Sequence, residues 1–404
     1  MSVRISLTGD LLAYKSLLLR SRSGNVFDFS DVFSRAASLF QDSDYVVGNL
    51  ETPLAGEKER FTQMDMSFNT PDQFVFDANR IGFDMFTTAN NHCLDRGKLG
   101  LERTLAVLDS AGIDHTGTFS SINDSRFLVK EVKGIRFAFI SYTYDTNPNV
   151  NGFEIGEDNR YLVNLTKSPG APYKRKWFKS LLLNFFYMFP SSLQKKIHPL
   201  YPDHPYPDCV GEEEISSPRN ESWIRDMKQT IADARKVSDV VIFCLHSGGQ
   251  FNSTLGEYTN YLIKTIKDCN VSALIVNHPH CVLGSEWNKD NSFTAYSLGN
   301  FSFTPNEGYY IEGVLADYGI VLHLDFDRDR KQLEDVWFSV IKNIRTADGK
   351  ERVVPVSDLY HDLSTEGEIK QLIKENSSVI NRFLGTNKEY GVRPFYRYSD
   401  CLVN

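Results

Sequence analysis

The sequence predicts an α/β protein built around a mostly parallel β-sheet. Strand-like and helix-like segments alternate through the first third of the chain, and the same alternation returns after residue 222. A strand, a helix and a further strand form a βαβ unit, whose crossover places the two strands in parallel. In such sheets the functional site lies beyond the carboxyl ends of the strands. The residues that follow each strand are therefore the first candidates for function.

The first third supplies three strands and three helices. The strands are short β-rich or apolar runs, and the helices carry apolar residues at helical spacing. Thr70 precedes Pro71 and is expected to cap the second helix. The predicted strands cover residues 3–8, 45–50 and 85–89, and the predicted helices cover residues 33–40, 71–81 and 100–112.

The next predicted unit is a β-hairpin. Residues 126–132 and 135–142 flank Lys133-Gly134, a pair that suits a tight turn. The later elements are assigned by the same apolar periodicity and segment length. The predicted later strands cover residues 239–245, 271–276, 293–297, 320–326 and 336–341, and the helices cover residues 223–236, 257–268 and 366–383.

Residues 147–222 interrupt the alternation of predicted strands and helices and are rich in Pro, Tyr, Asn and Lys. We expect an insertion there, within a domain that covers residues 1–345, and a helical extension packed on that domain in residues 346–404. Inside the insertion, basic residues between Lys174 and Lys196 flank an apolar, aromatic core. A packed helix, a lid or partner surface, and a helix resting on an anionic membrane all fit this stretch.

Composition and charge exclude some classes of protein. The chain has 44 Lys and Arg against 52 Asp and Glu, a net charge of −8, and so lacks the basic field of a nucleic-acid-binding protein. Its six cysteines form no CxxC pair and are expected to be reduced thiols. The first residues show no signal-peptide pattern. We therefore expect a cytoplasmic protein, with or without peripheral membrane contact.

Side chains that bind metal ions follow five of the predicted strands. Taken singly, most have an ordinary structural alternative, such as a turn residue, a solvated carboxylate or a core histidine. His278 and His280 are harder to explain that way, because two imidazoles directly follow an all-apolar strand. Together these oxygen and nitrogen donors suit one or two Mn²⁺, Zn²⁺ or Fe ions. The predicted ligands are Asp10, Glu51, Asn91, His246, His278 and His280.

Three residues near these strand ends are candidates for substrate contact. Arg96 is a candidate anion contact, and Gln250 is expected to line the cleft. Asn300 is expected either to donate a hydrogen bond near the metals or to cap a turn.

Six separated motifs occur in order between residues 9 and 303. They are GD at 9–10, NLETPL at 49–54, ANNHCLDRG at 89–97, HSGGQ at 246–250, NHPHCV at 277–282 and YSLGNFSF at 296–303. In this order they resemble the CapA family of capsule synthesis and poly-γ-glutamate biosynthesis, which belongs to the calcineurin-like metallophosphatase fold group. The resemblance implies a four-layer α/β/β/α sandwich, with residues 147–222 as an inserted segment.

The resemblance also implies a role for each ligand. Asp10 and His280 would hold one metal, Asn91, His246 and His278 would hold the second, and Glu51 would bridge the two. His92 would act as a general acid or stabilise negative charge, and Asp95 would orient it. The wider fold group carries a histidine two residues after the first Asp, where this chain has Leu12. One imidazole ligand is therefore missing from the first metal position.

The implied function is a metal-dependent hydrolase. In it, a metal-activated water would attack an amide or phosphoester bond during the synthesis of a capsule or a poly-γ-glutamate-type polymer. The substrate would be an anionic polymer or a small molecule. The missing imidazole and the basic, aromatic segment also fit an alternative hypothesis, a non-catalytic binding or assembly subunit that retains the fold.

Overall fold

The computed structural model describes residues 2–63, 67–169, 210–303 and 314–403, and its strands form two large sheets. Most strands end within two residues of their predicted bounds, because the apolar runs that define them are buried on both faces. In chain order the strands are β1 Ser2–Leu11, β2 Arg22–Ser23, β3 Val26–Phe27, β4 Tyr45–Leu50, β5 Met85–Thr87, β6 Asp114–Thr116, β7 Leu128–Val132, β8 Ile135–Thr143, β9 Val240–His246, β10 Ala273–Asn277, β11 Ser285–Trp287, β12 Phe293–Ala295, β13 Asn300–Ser302, β14 Tyr318–Asp327, β15 Gln332–Arg345, β16 Glu351–Pro355 and β17 Tyr396–Arg397.

The first sheet has the order β16-β15-β14-β1-β4-β5-β6, with β13 also paired to β1 and β17 to β15. Strands β1, β4, β5, β6 and β13 run parallel, whereas β14, β15 and β16 are antiparallel. The second sheet has the order β11-β12-β10-β9-β8-β7, and its four inner strands are parallel. The carboxyl ends of the parallel strands therefore share one edge in each sheet.

Helices cover the outer faces of both sheets. The helix Gly97–Ser110 is close to its predicted bounds, whereas the predicted helix at 33–40 is split into a short α-helix and a 3₁₀ segment, Ser34–Phe40. The remaining helices are Lys15–Arg20, Ser30–Phe33, Gln73–Arg80, Pro148–Asn151, Glu221–Val237, Glu257–Lys267, Val356–Asp362, Glu366–Leu384 and Tyr398–Val403.

Three apolar cores give the molecule four layers, as predicted. The alternation of side chains along each strand sends Tyr45 and Val47 of β4 into the core between the sheets, and Val46 into the core under the first helices. Between the sheets, Phe137 of β8 packs edge-on against Phe326 of β14, with ring centroids 5.2 Å apart. A third core lies between the second sheet and the helices Glu221–Val237 and Glu257–Lys267. The fold is thus an α/β/β/α sandwich.

The hairpin turn follows its prediction in detail. Lys133 and Gly134 both have positive φ, 47° and 90°, which is the backbone of a type I′ turn and matches the twist of the paired strands. The predicted cap of the helix at residue 71 is wrong: the hydroxyl of Thr70 lies 2.8 Å from that of Thr52, and the residue before the first helical turn is Asp72. The Thr70 side chain therefore makes a tertiary hydrogen bond to Thr52 instead of capping the helix as the local sequence pattern predicted.

The chain after residue 345 is not helical throughout, contrary to our expectation. Strand β16 extends the first sheet by pairing with the carboxyl-terminal part of β15, and β17 pairs with Trp337 and Phe338 in the middle of β15. The helix Glu366–Leu384 packs against the same strand, with Phe383 and Phe338 rings 5.1 Å apart. These residues therefore complete one side of the sandwich. The domain bounds themselves stay a prediction.

The predicted insertion is described at both ends. Val163 bridges Thr118, and Leu165 bridges Thr143 in parallel, so residues 163–165 continue the second sheet beyond β8. The stretch from Lys174 to Lys196 lies outside the described residues. Among the helices that the structure describes, none combines the length and apolarity that crossing a membrane requires.

Candidate metal centre

The carboxyl ends of the parallel strands of both sheets converge on one buried cluster. Asp10 lies at the end of β1, opposite Asn49 of β4 and Asn300 of β13. His246 ends β9, opposite Asn277 of β10. All six predicted ligands are at most 3% exposed and are brought together here, although they come from widely separated parts of the sequence.

One ligand group surrounds the Nε2 atom of His246. The Oδ1 atom of Asn91 lies 2.8 Å from it, Nδ1 of His278 lies 3.1 Å from it, and Oε1 of Glu51 lies 3.4 Å from it. Donor atoms around an ion with bonds of about 2.0–2.2 Å are roughly 2.8–3.6 Å apart. The spacing of these atoms is therefore that of a single coordination sphere.

A second ligand group contains Asp10, Glu51 and His280. Oδ2 of Asp10 lies 3.3 Å from Nδ1 of His280, and Oε1 of Glu51 lies 3.6 Å from Nε2 of the same ring. Glu51 thus belongs to both groups, since it is also close to His246 and His278. A carboxylate between two ligand groups has the placement of a bridging ligand.

Both carboxylate oxygens of Glu51 are buried without a hydrogen-bond partner among the residues that the structure describes. An unpaired buried acceptor of this kind is costly, and such groups usually have a partner such as an ion or an ordered water. The surrounding atoms are imidazole nitrogens and carboxylate or amide oxygens, which suit Mn²⁺, Zn²⁺ or Fe. The residues present therefore fit one or two divalent ions.

The charges of the cluster shift two pKa values. Burial opposes protonation of His280, but the charges of Glu51 and Asp10 outweigh it and raise its pKa to about 9. Burial likewise opposes ionisation of Asp10, yet hydrogen bonding to His280 and the charge of His246 lower its pKa. In the metal-free cluster the two carboxylates therefore favour the protonated form of His280.

Asn300 fixes the orientation of His280. Its Nδ2 donates to the carbonyls of His280 and Ala316, at 3.0 and 2.8 Å, so its Oδ1 is the acceptor that lies 3.0 Å from Nδ1 of His280. The Nδ1 atom therefore carries a hydrogen, and Nε2 is the nitrogen turned toward Glu51. This position makes Asn300 a support for a ligand, while its predicted contact with substrate stays a prediction.

Two further residues, Asn49 and Tyr144, belong to the cluster, and of these Asn49 was not predicted. Asn49 donates from Nδ2 to Oδ1 of Asp10, at 2.7 Å, and the same nitrogen lies 3.3 Å from Nδ1 of His246. The hydroxyl of Tyr144 lies 3.3 Å from Nε2 of His278, which leaves Nδ1 of that ring facing the cluster. Asn49 opens the NLETPL motif and Tyr144 follows a strand, so both carried the positional signal that identified the ligands.

His92 and Asp95 form the predicted pair. Nδ1 of His92 lies 2.8 Å from Oδ2 of Asp95, which also accepts a hydrogen bond from the backbone of Phe68 at 2.7 Å. Burial opposes protonation of His92, but the charge and hydrogen bond of Asp95 raise its pKa. The ring of Phe68 packs edge-on against His92, with centroids 4.6 Å apart, which fixes the imidazole further.

Arg96 and Gln250 lie in loops around the cluster. The guanidinium of Arg96 donates to the carbonyls of Glu59, Arg60 and Asp95 and to the hydroxyl of Ser67. It therefore holds Glu59, Arg60 and Ser67 in place, and its role as an anion contact stays a prediction. Gln250 is buried in the loop after β9 and precedes Phe251, whose ring lies 5.6 Å from that of His280.

Leu12 takes part in an apolar wall beside the cluster. It is 1% exposed and belongs to a core with Tyr14, Phe68, Phe251 and Phe303. The rings of Tyr14 and Phe68 meet edge-on at 5.3 Å. An apolar contact therefore occupies the position where the wider fold group has an imidazole.

The backbone of the cluster adopts unusual conformations. His278 and His280 have φ of 107° and 54°, and Phe251 has φ of 58°. Positive φ is uncommon for residues with a side chain and costs free energy, so it persists where surrounding structure enforces it, often at functional sites. Here hydrogen bonds from the backbone of His278 to Asp10 and of Phe251 to Pro279 hold these turns in place.

The four-layer sandwich and the buried cluster of His, Asp and Glu define a protein of the calcineurin-like metallophosphatase fold group. A sequence model of the family described as bacterial capsule synthesis protein PGA_cap matches residues 4–305. The chain belongs to this family. The match includes all six motifs and every predicted ligand.

Two related proteins are CapA proteins of Bacillus species. The chain is 24% identical over 276 residues to the capsule biosynthesis protein CapA of Bacillus anthracis, a match that covers 67% of this chain and 53% of that protein. It is 22% identical over 275 residues to the PGA biosynthesis protein CapA of Bacillus subtilis strain 168, with 67% and 56% covered. The matched region thus spans about half the length of these relatives.

Solved structures with similar chains have low sequence identity. One is the Thermus thermophilus sulfate thiohydrolase SoxB in complex with glycerol, with a TM-score of 0.40, 10% identity, and 92% of this chain and 60% of that chain covered. Another is a hypothetical protein from Thermus thermophilus, with a TM-score of 0.37, 13% identity, and 87% and 98% covered.

Proposed function

We propose that this chain is a metal-dependent hydrolase that acts on an amide or phosphoester bond in the synthesis of a capsule or a poly-γ-glutamate-type polymer. The observation that carries the proposal is Glu51, which belongs to both ligand groups and has two buried oxygens without a hydrogen bond among the described residues. Membership of the capsule synthesis family and the name of the Bacillus subtilis relative support the polymer context.

In this proposal Asp10 and His280 hold one divalent ion, Mn²⁺, Zn²⁺ or Fe, and Asn91, His246 and His278 hold a second, with Glu51 shared. A bound ion of this kind makes water a stronger nucleophile near neutral pH and stabilises developing negative charge. Asn300 and Asn49 keep the ligands oriented through the hydrogen bonds described above.

His92 is proposed as the general acid. Asp95 holds its Nδ1 at 2.8 Å, which leaves Nε2 as the nitrogen that exchanges a proton with the substrate. The raised pKa of His92 keeps the ring protonated over a wider pH range, and a protonated ring donates to a leaving group or stabilises its negative charge. Removal of the ring should therefore reduce turnover without removing the metal.

The direct test is metal content. Wild-type protein and the double variant His278→Ala plus His280→Ala are reconstituted with Mn²⁺, Zn²⁺ or Fe, dialysed and analysed by mass spectrometry. We expect wild-type protein to retain one or two ions and the double variant to lose them, because each ligand group loses one imidazole. His361→Ala, a change at an exposed histidine, is the matched control. Equal metal content in all three proteins would contradict the proposal.

A second candidate is a non-catalytic binding or assembly subunit. The packing of Leu12 in an apolar wall favours it, because one ligand group then has a single imidazole. Assays with phosphomonoesters, phosphodiesters and γ-glutamyl peptides distinguish the two candidates. Turnover that is lost in His92→Ala while metal content stays intact would exclude the subunit hypothesis, and absence of turnover from metal-loaded wild-type protein would support it.

Peripheral membrane contact through the segment from Lys174 to Lys196 is also retained as a proposal. Its sequence, in which basic residues flank an apolar and aromatic core, supports it. Sedimentation with anionic and neutral liposomes tests it, and the expected result is binding to the anionic vesicles alone. Equal absence from both pellets would refute the contact.

A further inference from the structure

Unpaired polar groups gather just past the carboxyl end of β8, beside the metal cluster. Oδ1 of Asp145, Oγ1 of Thr146 and Nδ2 of Asn147 are buried, and the part of the chain that the structure describes supplies no hydrogen bond to any of them. Three successive residues with unmet hydrogen-bonding capacity are unusual, because nearly all buried polar atoms in folded proteins have a partner. These three atoms therefore have hydrogen-bonding capacity left for a partner outside the described residues.

A buried lysine lies next to this group. Thr166 donates its backbone N–H to the carbonyl of Thr143 at 3.0 Å, and Leu165 bridges Thr143 in parallel. Asp145 and Lys167 each come two residues after this bridge, and they are close enough for the charge of Lys167 to lower the pKa of Asp145. Lys167 is 7% exposed, and within residues 2–63, 67–169, 210–303 and 314–403 it makes no hydrogen bond or ion pair. Lys167, a largely buried side chain, and the buried Oδ1 of Asp145 are thus near each other, and no hydrogen bond or ion pair joins them among the described residues.

The group adjoins the metal centre on two sides. Tyr144, directly before Asp145, has its hydroxyl 3.3 Å from Nε2 of His278, and its backbone N–H donates to the carbonyl of His246 at 3.1 Å. The charge of Asp145 also reaches Cys93, where it adds to burial in raising the pKa of the thiol. Cys93 follows His92, so the group lies near the proposed general acid as well as the ligands.

We propose that Asp145, Thr146, Asn147 and Lys167 form a subsite for an amino-acid-type group, in which a carboxylate and an ammonium or amide N–H are held on neighbouring atoms. Lys167 and Nδ2 of Asn147 supply donors for the carboxylate, and Asp145 accepts from the nitrogen. Thr146 serves either partner. A phosphate fits less well, since it brings no donor for Asp145 and adds negative charge beside it.

The inference rests on the proposed function in one respect: it selects the amide over the phosphoester as the bond presented to the metals. Burial raises the pKa of Asp145, and the charge of Lys167 opposes part of that shift. Side chains held in place before the ligand arrives lose little entropy on binding. The unpaired state of these groups in the free protein is therefore what a preorganised subsite requires.

Calorimetric titration of the full-length protein with L-glutamate and D-glutamate tests the subsite. Glutarate, which keeps both carboxylates and lacks the amino group, and inorganic phosphate are the comparison probes. We expect glutamate to bind at least about tenfold more tightly than either, because one charge-assisted hydrogen bond is worth about that factor. Asp145→Asn and Lys167→Met should each weaken glutamate binding about tenfold.

Controls separate binding from folding. Thr146→Val should weaken glutamate binding several-fold while Thr146→Ser restores it, and Lys98→Met, at a partly exposed lysine that contacts Tyr161, should have no effect. Lys167→Met should leave the thermal midpoint nearly unchanged, since Lys167 makes no hydrogen bond or ion pair among the described residues. Unaltered glutamate binding in Asp145→Asn and Lys167→Met, or equal binding of glutarate, would overturn the subsite. A lower midpoint with unaltered binding would show a structural role instead.

Glu51→Gln separates the two proposals. It should lose metal and keep glutamate binding, because Glu51 lies outside the subsite. If the metal tests fail while glutamate binding depends on Asp145 and Lys167, the subsite stands and the hydrolase proposal falls. If metal binding and turnover are present while the subsite variants bind glutamate normally, the reverse holds.

Discussion

Replacing Asn300 with leucine should weaken both the fold and one metal position. The Asn300 side chain makes three hydrogen bonds, to Nδ1 and the carbonyl of His280 and to the carbonyl of Ala316, at 3.0, 3.0 and 2.8 Å. Each buried hydrogen bond contributes about 0.5–1.5 kcal/mol. Leucine has similar volume and none of these groups, so the free energy of unfolding should fall by roughly 2–4 kcal/mol.

The effect on metal binding follows from the tautomer of His280. Without Oδ1 of Asn300, Nδ1 of the His280 ring can still donate to the more distant Oδ2 of Asp10, at 3.3 Å, but Nε2 is held less firmly toward Glu51. Loss of a support of this kind costs about 10- to 100-fold in metal affinity. The loss should appear at one position, since the hydrogen bonds of the Asn300 side chain go to His280 and Ala316.

Urea unfolding of the metal-free protein and competitive titration with Mn²⁺ and Zn²⁺ measure the two effects. Asn376→Leu is the matched control, because Asn376 is fully buried, donates to the hydroxyl of Tyr396 at 3.0 Å and lies in the helix Glu366–Leu384. It should lower stability and leave metal affinity unchanged. Asn300→Leu with a metal affinity within about twofold of wild type would refute the proposed support of His280.

Three further predictions concern stability. His323 is fully buried, and its burial, together with the charge of Arg4, lowers its pKa to about 3. As pH falls below about 6.5, the unfolded chain therefore binds a proton at this residue that the native state does not. Between pH 6.5 and 5 the free energy of unfolding of His323→Asn, measured in urea, should fall by about 2 kcal/mol less than that of wild type, and an identical pH dependence would contradict this. Gly9→Ala should lower both stability and metal content, since the added Cβ would lie 1.9 Å from the carbonyl oxygen of Gly299 beside Asp10; a variant with normal unfolding and normal metal content would show that β1 and β13 do not need this close approach. Thr365→Ala should cost about 1 kcal/mol, because the Thr365 hydroxyl accepts from the backbone of Glu368 at 3.3 Å, and Thr365→Ser should restore it.

The positions of the ligands were predictable because parallel strands end at a common edge. Each predicted ligand is at most four residues from the end of an apolar run that is visible in the sequence, and the sheet order places those ends together. The hairpin at Lys133-Gly134 was predictable for the same kind of reason, since the turn type depends on two adjacent residues. Local sequence decides such features because few backbone conformations satisfy them.

Hydrogen bonds between distant residues were not predictable. Thr70 bonds to Thr52 instead of capping its own helix, and Asn300 holds His280 although the two are 20 residues apart. Strand β16 forms because β15 offers an open edge, which the short segment at 351–355 does not reveal on its own. These choices depend on which partner lies within hydrogen-bonding distance once the chain has folded.

By itself the sequence determined the α/β class, the strand ends and the types of side chain that meet there, since periodicity and residue chemistry are local properties. The tertiary structure decided that Glu51 is shared by two ligand groups and that Leu12 joins an apolar wall. It also paired Leu165 with Thr143, two residues before Lys167 and Asp145, in a stretch where the sequence pattern did not predict a sheet edge. Distances between side chains of separate strands depend on sheet order and register, and these are fixed when the two sheets pack together.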